Sequence, residues 1–169
     1  MKKRIFITVL ACLMLLFAGC QGNPATGGDN SNNQSQVSSY NFTYKETKIT
    51  LHAPAEPIIK ALGDPISYTE SASCAFDGLD KSYYYGSFYL ETYPKDGKDY
   101  VYGWYFKDDS VATEKGISIG ATKEAVTKAY GNEGFNGSNA WVLKDGGGTL
   151  TIILDKDAVS SIQYAIVVE

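Results

Sequence analysis

Hydrophobic and polar positions divide the chain into three regimes. Residues 5–18 are almost unbroken apolar side chains, and residues 21–39 are almost entirely Gly, Asn, Ser, Gln, Pro and Thr. From Tyr40 onward apolar residues return in two spacings. In 122–131 they recur at helical intervals: Ala125, Val126, Ala129 and Tyr130 form a stripe, Thr122 stands where a cap belongs, and Gly131 supplies a left-handed stop. In 56–62 a shorter helix is predicted, confined by Pro54 and Pro57 and ended by Gly63. Strand-like runs follow each helix, at 73–76, 83–93 and 100–106 and then at 140–143, 149–154 and 159–167. Pro94-Lys95-Asp96-Gly97 and Asp145-Gly146-Gly147-Gly148 separate such runs as turns.

The two helical segments align with each other. Residues 49–63 set over 117–131, at a constant offset of 68, match at six of fifteen positions, which are Ile, Ala, Glu, Lys, Ala and Gly. The expectation is an α+β domain spanning 40–169 and built of two tandem α-β-β-β repeats, about 49–107 and 117–168. Short helices would pack on one face of a curved antiparallel sheet and leave the other face partly open.

The stretch Gly116-Ile-Ser-Ile-Gly-Ala-Thr-Lys-Glu-Ala-Val-Thr-Lys-Ala-Tyr-Gly131 resembles the helix signature of β-lactamase inhibitory protein-like repeats. Related helix openings occur in small outer-membrane assembly lipoproteins of the SmpA/OmlA kind. The resemblance implies a tandem helix-plus-sheet fold over residues 49–169. The inhibitory protein carries a disulfide in each repeat, whereas this chain has Cys74 alone beyond Cys20.

The N-terminus changes the setting. Lys2, Lys3 and Arg4 precede the apolar stretch, which closes on Leu16-Phe17-Ala18-Gly19-Cys20. This looks like a lipoprotein signal peptide over 1–19 with Cys20 as the lipidated residue, and it implies a cell-membrane anchor with the domain on the extracytoplasmic side. An ordinary secretory signal with a chance cysteine is the alternative. Residues 20–39 are too polar to offset their ordering entropy and read as a disordered leash, with a reach of roughly 25 Å.

Cleavage would also shift the charge. The full chain has 15 basic and 19 acidic side chains, and three of the basic ones lie in the signal, so 12 lysines and no arginine remain. An acidic, Arg-free domain is a poor partner for nucleic acid or anionic headgroups, which leaves the acyl chains as the membrane contact.

Candidate chemistry is sparse. His52 is the sole histidine, beside prolines at a helix start, and reads as a surface or half-buried side chain. Cys74 lies in Ser73-Cys74-Ala75-Phe76, where a buried small hydrophobe is expected and a reactive thiol is the alternative. Too few His and Cys are present for a zinc site, and no helix or Lys-Ser/Thr follows Gly146-Gly147-Gly148 to make a phosphate cradle. The pairs Asp77/Asp80, Asp96/Asp99 and Asp155/Asp157 fit turns better than a calcium loop. No catalytic set, metal or cofactor is expected.

Aromatic residues are the stronger signal. Strand alternation places Tyr83, Tyr85 and Tyr89 on one face, and Tyr100, Tyr102 and Trp104 on one face of the next strand, unless a bulge at Gly86 resets the register. These six are the expected binding surface for a protein, peptide or glycan of the envelope. The reading is a non-enzymatic binding or scaffolding lipoprotein. The alternatives are an envelope hydrolase or thiol-redox protein using Cys74 or His52, and a structural role in envelope assembly.

Overall fold

Alternate burial organises the sheet. Phe88, Leu90, Trp104, Phe106, Leu150, Ile152, Ile162 and Tyr164 are each no more than 2% exposed, and the residues between them are not core. Each such side chain stabilises the fold by roughly 1.5–3 kcal/mol through its removal from water. The computed structural model describes residues 40–168. Cys20 and the signal and leash readings lie outside those residues.

The chain begins with a hairpin of β1 (Asn41–Tyr44) and β2 (Thr47–Thr50), followed by α1 (Ala55–Leu62). Four strands come next: β3 (Ser67–Ala72), β4 (Leu79–Tyr84), β5 (Phe88–Lys95) and β6 (Lys98–Phe106). Then α2 (Lys123–Tyr130) precedes β7 (Ala140–Asp145), β8 (Gly148–Asp155) and β9 (Ala158–Ile166). Strands β3 to β9 form one antiparallel sheet in the order β3-β4-β5-β6-β9-β8-β7. The fold is thus α+β with a large antiparallel sheet, as expected.

One cross-strand row shows how the core is built. Tyr68, Tyr83, Leu90, Trp104, Tyr164, Leu150 and Leu143 are successive partners across all seven strands. The row is fully buried at its centre, and Tyr68 and Leu143 are exposed at its two ends. Phe42 of the hairpin packs on this face, 6.1 Å from Trp104 and 5.0 Å from Phe88 between ring centroids. Ala55 and Ile58 of α1 and Val126 of α2 are buried in the same cluster. Both helices and the hairpin therefore cover one face.

The helices follow their sequence signals. Thr122 Oγ1 accepts from the Ala125 N–H at 3.2 Å, and the Gly131 N–H donates to the Thr127 carbonyl at 2.8 Å. Gly131 has φ 82°, a value that favours glycine.

Three strand expectations are corrected. Residues 73–76 are a loop, because Ser73 Oγ accepts from the N–H groups of Ala75 and Phe76 at 3.3 and 3.2 Å and turns the chain. The edge strand is β3, whose six residues are all exposed and so carry no alternating pattern to read. The run 83–93 is two strands, since the Tyr85 N–H donates to the Phe88 carbonyl at 3.0 Å around Gly86, which has φ 91°. The first helix is consequently followed by four strands, where three were expected. The β1–β2 hairpin has no sequence signal: it turns through Lys45 and Glu46, at φ 45° and 69°, without the usual Asn or Gly.

Candidate functional site: the open sheet face

The face away from the helices is set by a β-bulge. Glu91 pairs with Gly103 and Thr92 with Val101, which leaves Tyr102 as an extra residue on β6. Val101 and Trp104 both point into the core, each 0% exposed, although three positions apart. Tyr100 and Tyr102 are thereby turned to the open side with Tyr105.

Three tyrosines form a ladder there. Tyr84, Tyr89 and Tyr105 are direct partners on β4, β5 and β6. Their ring centroids are 4.6 Å apart for Tyr84–Tyr89, with planes at 25°, and 5.3 Å for Tyr89–Tyr105, with planes at 9°. These spacings match the distance between strands, so the rings stand side by side and present edges and hydroxyls outward. Lys107 closes one end: its Nζ is 5.3 Å from the Tyr105 ring centroid and 3.4 Å from the Tyr105 hydroxyl.

Two residues further along β5 on the same face, the row becomes acidic. Ser82 and Glu91 are partners, and with Asp80 and Tyr102 they line a cavity of about 430 Å³. Burial pushes the Glu91 carboxyl above the usual carboxylate range, and Asp80 adds to the rise. Asp80 Oδ1 is buried and has no hydrogen-bond partner among the described residues. The adjacent Lys81 does not neutralise them. Its pairing with Thr92 turns it to the other face, where its Nζ meets Asp99 at 2.7 Å.

Beyond the acidic row lie Tyr93 and Tyr100, partners 5.9 Å apart between ring centroids, with Phe76 packed on Tyr93 at 4.5 Å. They border a larger cavity of about 970 Å³, also lined by His52, Lys95, Asp96 and Gly147. His52 reaches it from a backbone at φ 62°, and its Nδ1 lies 3.1 Å from the Tyr93 hydroxyl. Partial burial lowers the imidazole pKa, opposed by a hydrogen bond to the Gly147 backbone. A neutral ring that donates to that carbonyl and accepts from Tyr93 fits both contacts. The partners of His52 are thus a phenol and a backbone carbonyl, and Cys74 is not among them.

The six expected binding residues divide evenly. Tyr89, Tyr100 and Tyr102 lie on the open face. Trp104 is fully buried, Tyr85 is buried against Phe88 at 5.4 Å, and Tyr83 sits on the helix-covered side as the partner of Leu90. The turn at Gly86 and the bulge at Tyr102 are the physical causes, since each inverts the faces counted along an unbroken strand. Tyr84, Tyr105, Lys107, Glu91 and Asp80 were not foreseen as neighbours, because only strand register brings them together. Cys74 is exposed in the β3–β4 loop, contrary to the burial expected of it. Among the described residues, no three His, Cys, Asp or Glu side chains are grouped to hold a metal ion. Among the same residues, no helix is long and apolar enough to cross a membrane.

The molecule is therefore an α+β protein whose seven-stranded antiparallel sheet is covered on one face and tyrosine-rich on the other. No protein-family model matches the chain, and no curated protein matches it. A solved structure with some likeness is the 1.5 Å crystal structure of an extracellular protein containing a SCP domain from Bacillus anthracis str. Ames. It has a TM-score of 0.40 and 12% sequence identity, covering 87% of this chain and 50% of that one. The chain spans about half the length of that protein.

Proposed function

We propose that this protein is a lipid-anchored, extracytoplasmic binding module that holds a partner on its open sheet face. The observation that carries the reading is the ladder of Tyr84, Tyr89 and Tyr105, three half-buried rings side by side on the sheet face opposite the helices. Tyrosines held in fixed rotamers lose little entropy on binding and offer both apolar area and hydroxyls. The lipobox ending at Cys20 and the polar stretch after it support a tether that leaves this face free to meet a protein of the envelope. Envelope assembly and thiol or histidine chemistry at Cys74 or His52 remain the alternatives, and no contact in the site favours them.

The same reading takes the domain as a degenerate tandem repeat of the β-lactamase inhibitory protein-like kind. Both helices occupy eight residues at an offset of 68, and both end on a glycine, Gly63 at φ 80° and Gly131 at φ 82°. Pro54 and Thr122, equivalent by that offset, each form a bridge to the last strand of their own half, at Tyr100 and Ala158. These parallels support the repeat.

The test uses the full chain expressed in a bacterial host. Cys20→Ala is expected to release the protein from the membrane fraction. Envelope cross-linking through a photoreactive residue at Tyr89 is expected to capture a defined species that the Tyr105→Ala background loses. Retention of Cys20→Ala in the membrane would defeat the anchor, and identical cross-links with and without Tyr105 would defeat the surface.

A further inference from the structure

The geometry points to the cavity bordered by Glu91, Asp80 and Tyr102 as the receptor for a basic side chain, lysine or arginine, of a polypeptide partner lying on the open sheet face. This rests on the reading of that face as a docking surface and specifies the chemistry of what docks.

The argument is one of uncompensated charge. A carboxylate withdrawn from water is costly unless a cation or several donors replace the lost solvent. Glu91 has neither a salt bridge nor a side-chain hydrogen bond among the described residues. Asp80 Oδ1 is buried without a partner. The lysine nearest in sequence, Lys81, is committed to Asp99 on the opposite face. Lys107 lies at the tyrosine ladder, over the rings of Tyr89 and Tyr105. The pocket therefore presents acceptors in excess: the carboxylates of Glu70, Asp80 and Glu91 and the hydroxyls of Ser82 and Thr69, against the Lys81 ammonium already paired with Asp99, with the Tyr102 ring at its border. An ammonium carries three donors and a guanidinium five, with no acceptor to clash. An aromatic ring at the border adds cation–π attraction. Glu91 is two residues from Tyr89 on the same face of β5, a rise of about 7 Å. A segment crossing the ladder can thus place a basic residue in the pocket while its neighbours contact the phenols.

The experiment measures fluorescence anisotropy of an end-blocked, fluorescein-labelled Ala-Lys-Ala-Lys-Ala-Lys peptide added to the full chain in detergent. The same peptide with every lysine acetylated is the neutral control. The wild type is expected to bind the lysine peptide at least tenfold more tightly than the acetylated one. The Asp80→Asn/Glu91→Gln double variant is expected to lose at least tenfold for the lysine peptide alone. Asp155→Asn/Asp157→Asn makes the same charge change on the exposed β8–β9 turn and is expected to change nothing. Should the double variant melt early, Glu91→Gln alone serves in its place. Equal loss from both double variants would mean diffuse attraction and would overturn the pocket. So would undiminished binding by Asp80→Asn/Glu91→Gln. In that last case, weakened binding by Tyr105→Ala would leave the docking face standing, whereas full binding by it would remove that reading as well.

Discussion

Trp104 of β6 and Tyr164 of β9 stack at 4.8 Å between ring centroids, with planes 24° apart, across the strand pair that joins the two halves of the sheet. That pairing extends only over Gly103 to Tyr105 on β6, so few backbone bonds hold the junction and side-chain contact matters more there. Burial also pushes the Tyr164 phenol above its ordinary value. Trp104→Ala should therefore cost about 3–5 kcal/mol, as large-to-small changes of buried aromatics do. Equilibrium unfolding in urea measures it, and a loss below 1 kcal/mol would mean the junction does not depend on this contact.

Gly103, beside Trp104, is required for a different reason. A Cβ at this position would clash with the Tyr164 carbonyl oxygen and lie 3.0 Å from the Ala165 Cα, both backbone atoms that cannot rotate away. Gly103→Ala is expected to destabilise by at least about 1–3 kcal/mol, the usual cost of overpacking. The thermal midpoint reads this directly, and an unchanged midpoint would show that β6 and β9 can separate without loss.

On the open face the tyrosine ladder should be coupled. A double-mutant cycle on Tyr89→Ala and Tyr105→Ala is expected to give an interaction of about 0.5–1.5 kcal/mol, the range for aromatic pairs. Both single variants should fold, because neither ring belongs to the core cluster. Strict additivity would indicate that the rings do not touch in solution.

Stability should depend on pH through Glu91. Its folded-state pKa is raised, so the native protein binds this proton more tightly than the unfolded chain does. The penalty of a charged Glu91 is absent well below the ordinary glutamate range, grows as pH rises through the raised value, and is complete above it. Glu91→Gln is thus expected to raise the melting temperature at pH 7, with the gain shrinking as the pH is lowered toward 4. A gain independent of pH would attribute the effect to packing.

Cys74 should be chemically accessible. Its exposure in the β3–β4 loop predicts rapid alkylation by iodoacetamide in the absence of denaturant, mapped by peptide mass spectrometry and absent in Cys74→Ser. Labelling that needs urea would contradict the loop conformation.

Several features were legible in the sequence because their causes are local. The helix at 123–130 depends on a Thr cap, an apolar stripe and a terminal Gly, all within ten residues, and each acts where it was read. The α+β class followed from helical and strand-like spacings alternating along the chain, and most strands from runs of Tyr, Val and Ile. Nothing comparable marks β3, whose exposed edge asks no hydrophobicity of its residues, or the Lys45-Glu46 turn, which adopts positive φ without the residues that favour it. The surface was harder still. Excess tyrosine foretold an aromatic face, but assigning rings to that face required knowing that the chain reverses at Gly86 and that Tyr102 is an extra residue opposite Glu91. Each event shifts the count by one position, and in a strand one position exchanges the solvent side for the core. Composition and local spacing therefore determined that this protein would have a sheet rich in aromatics. Cross-strand pairing, a contact between residues distant in sequence, alone decided that Tyr84, Tyr89 and Tyr105 would face outward and Trp104 inward.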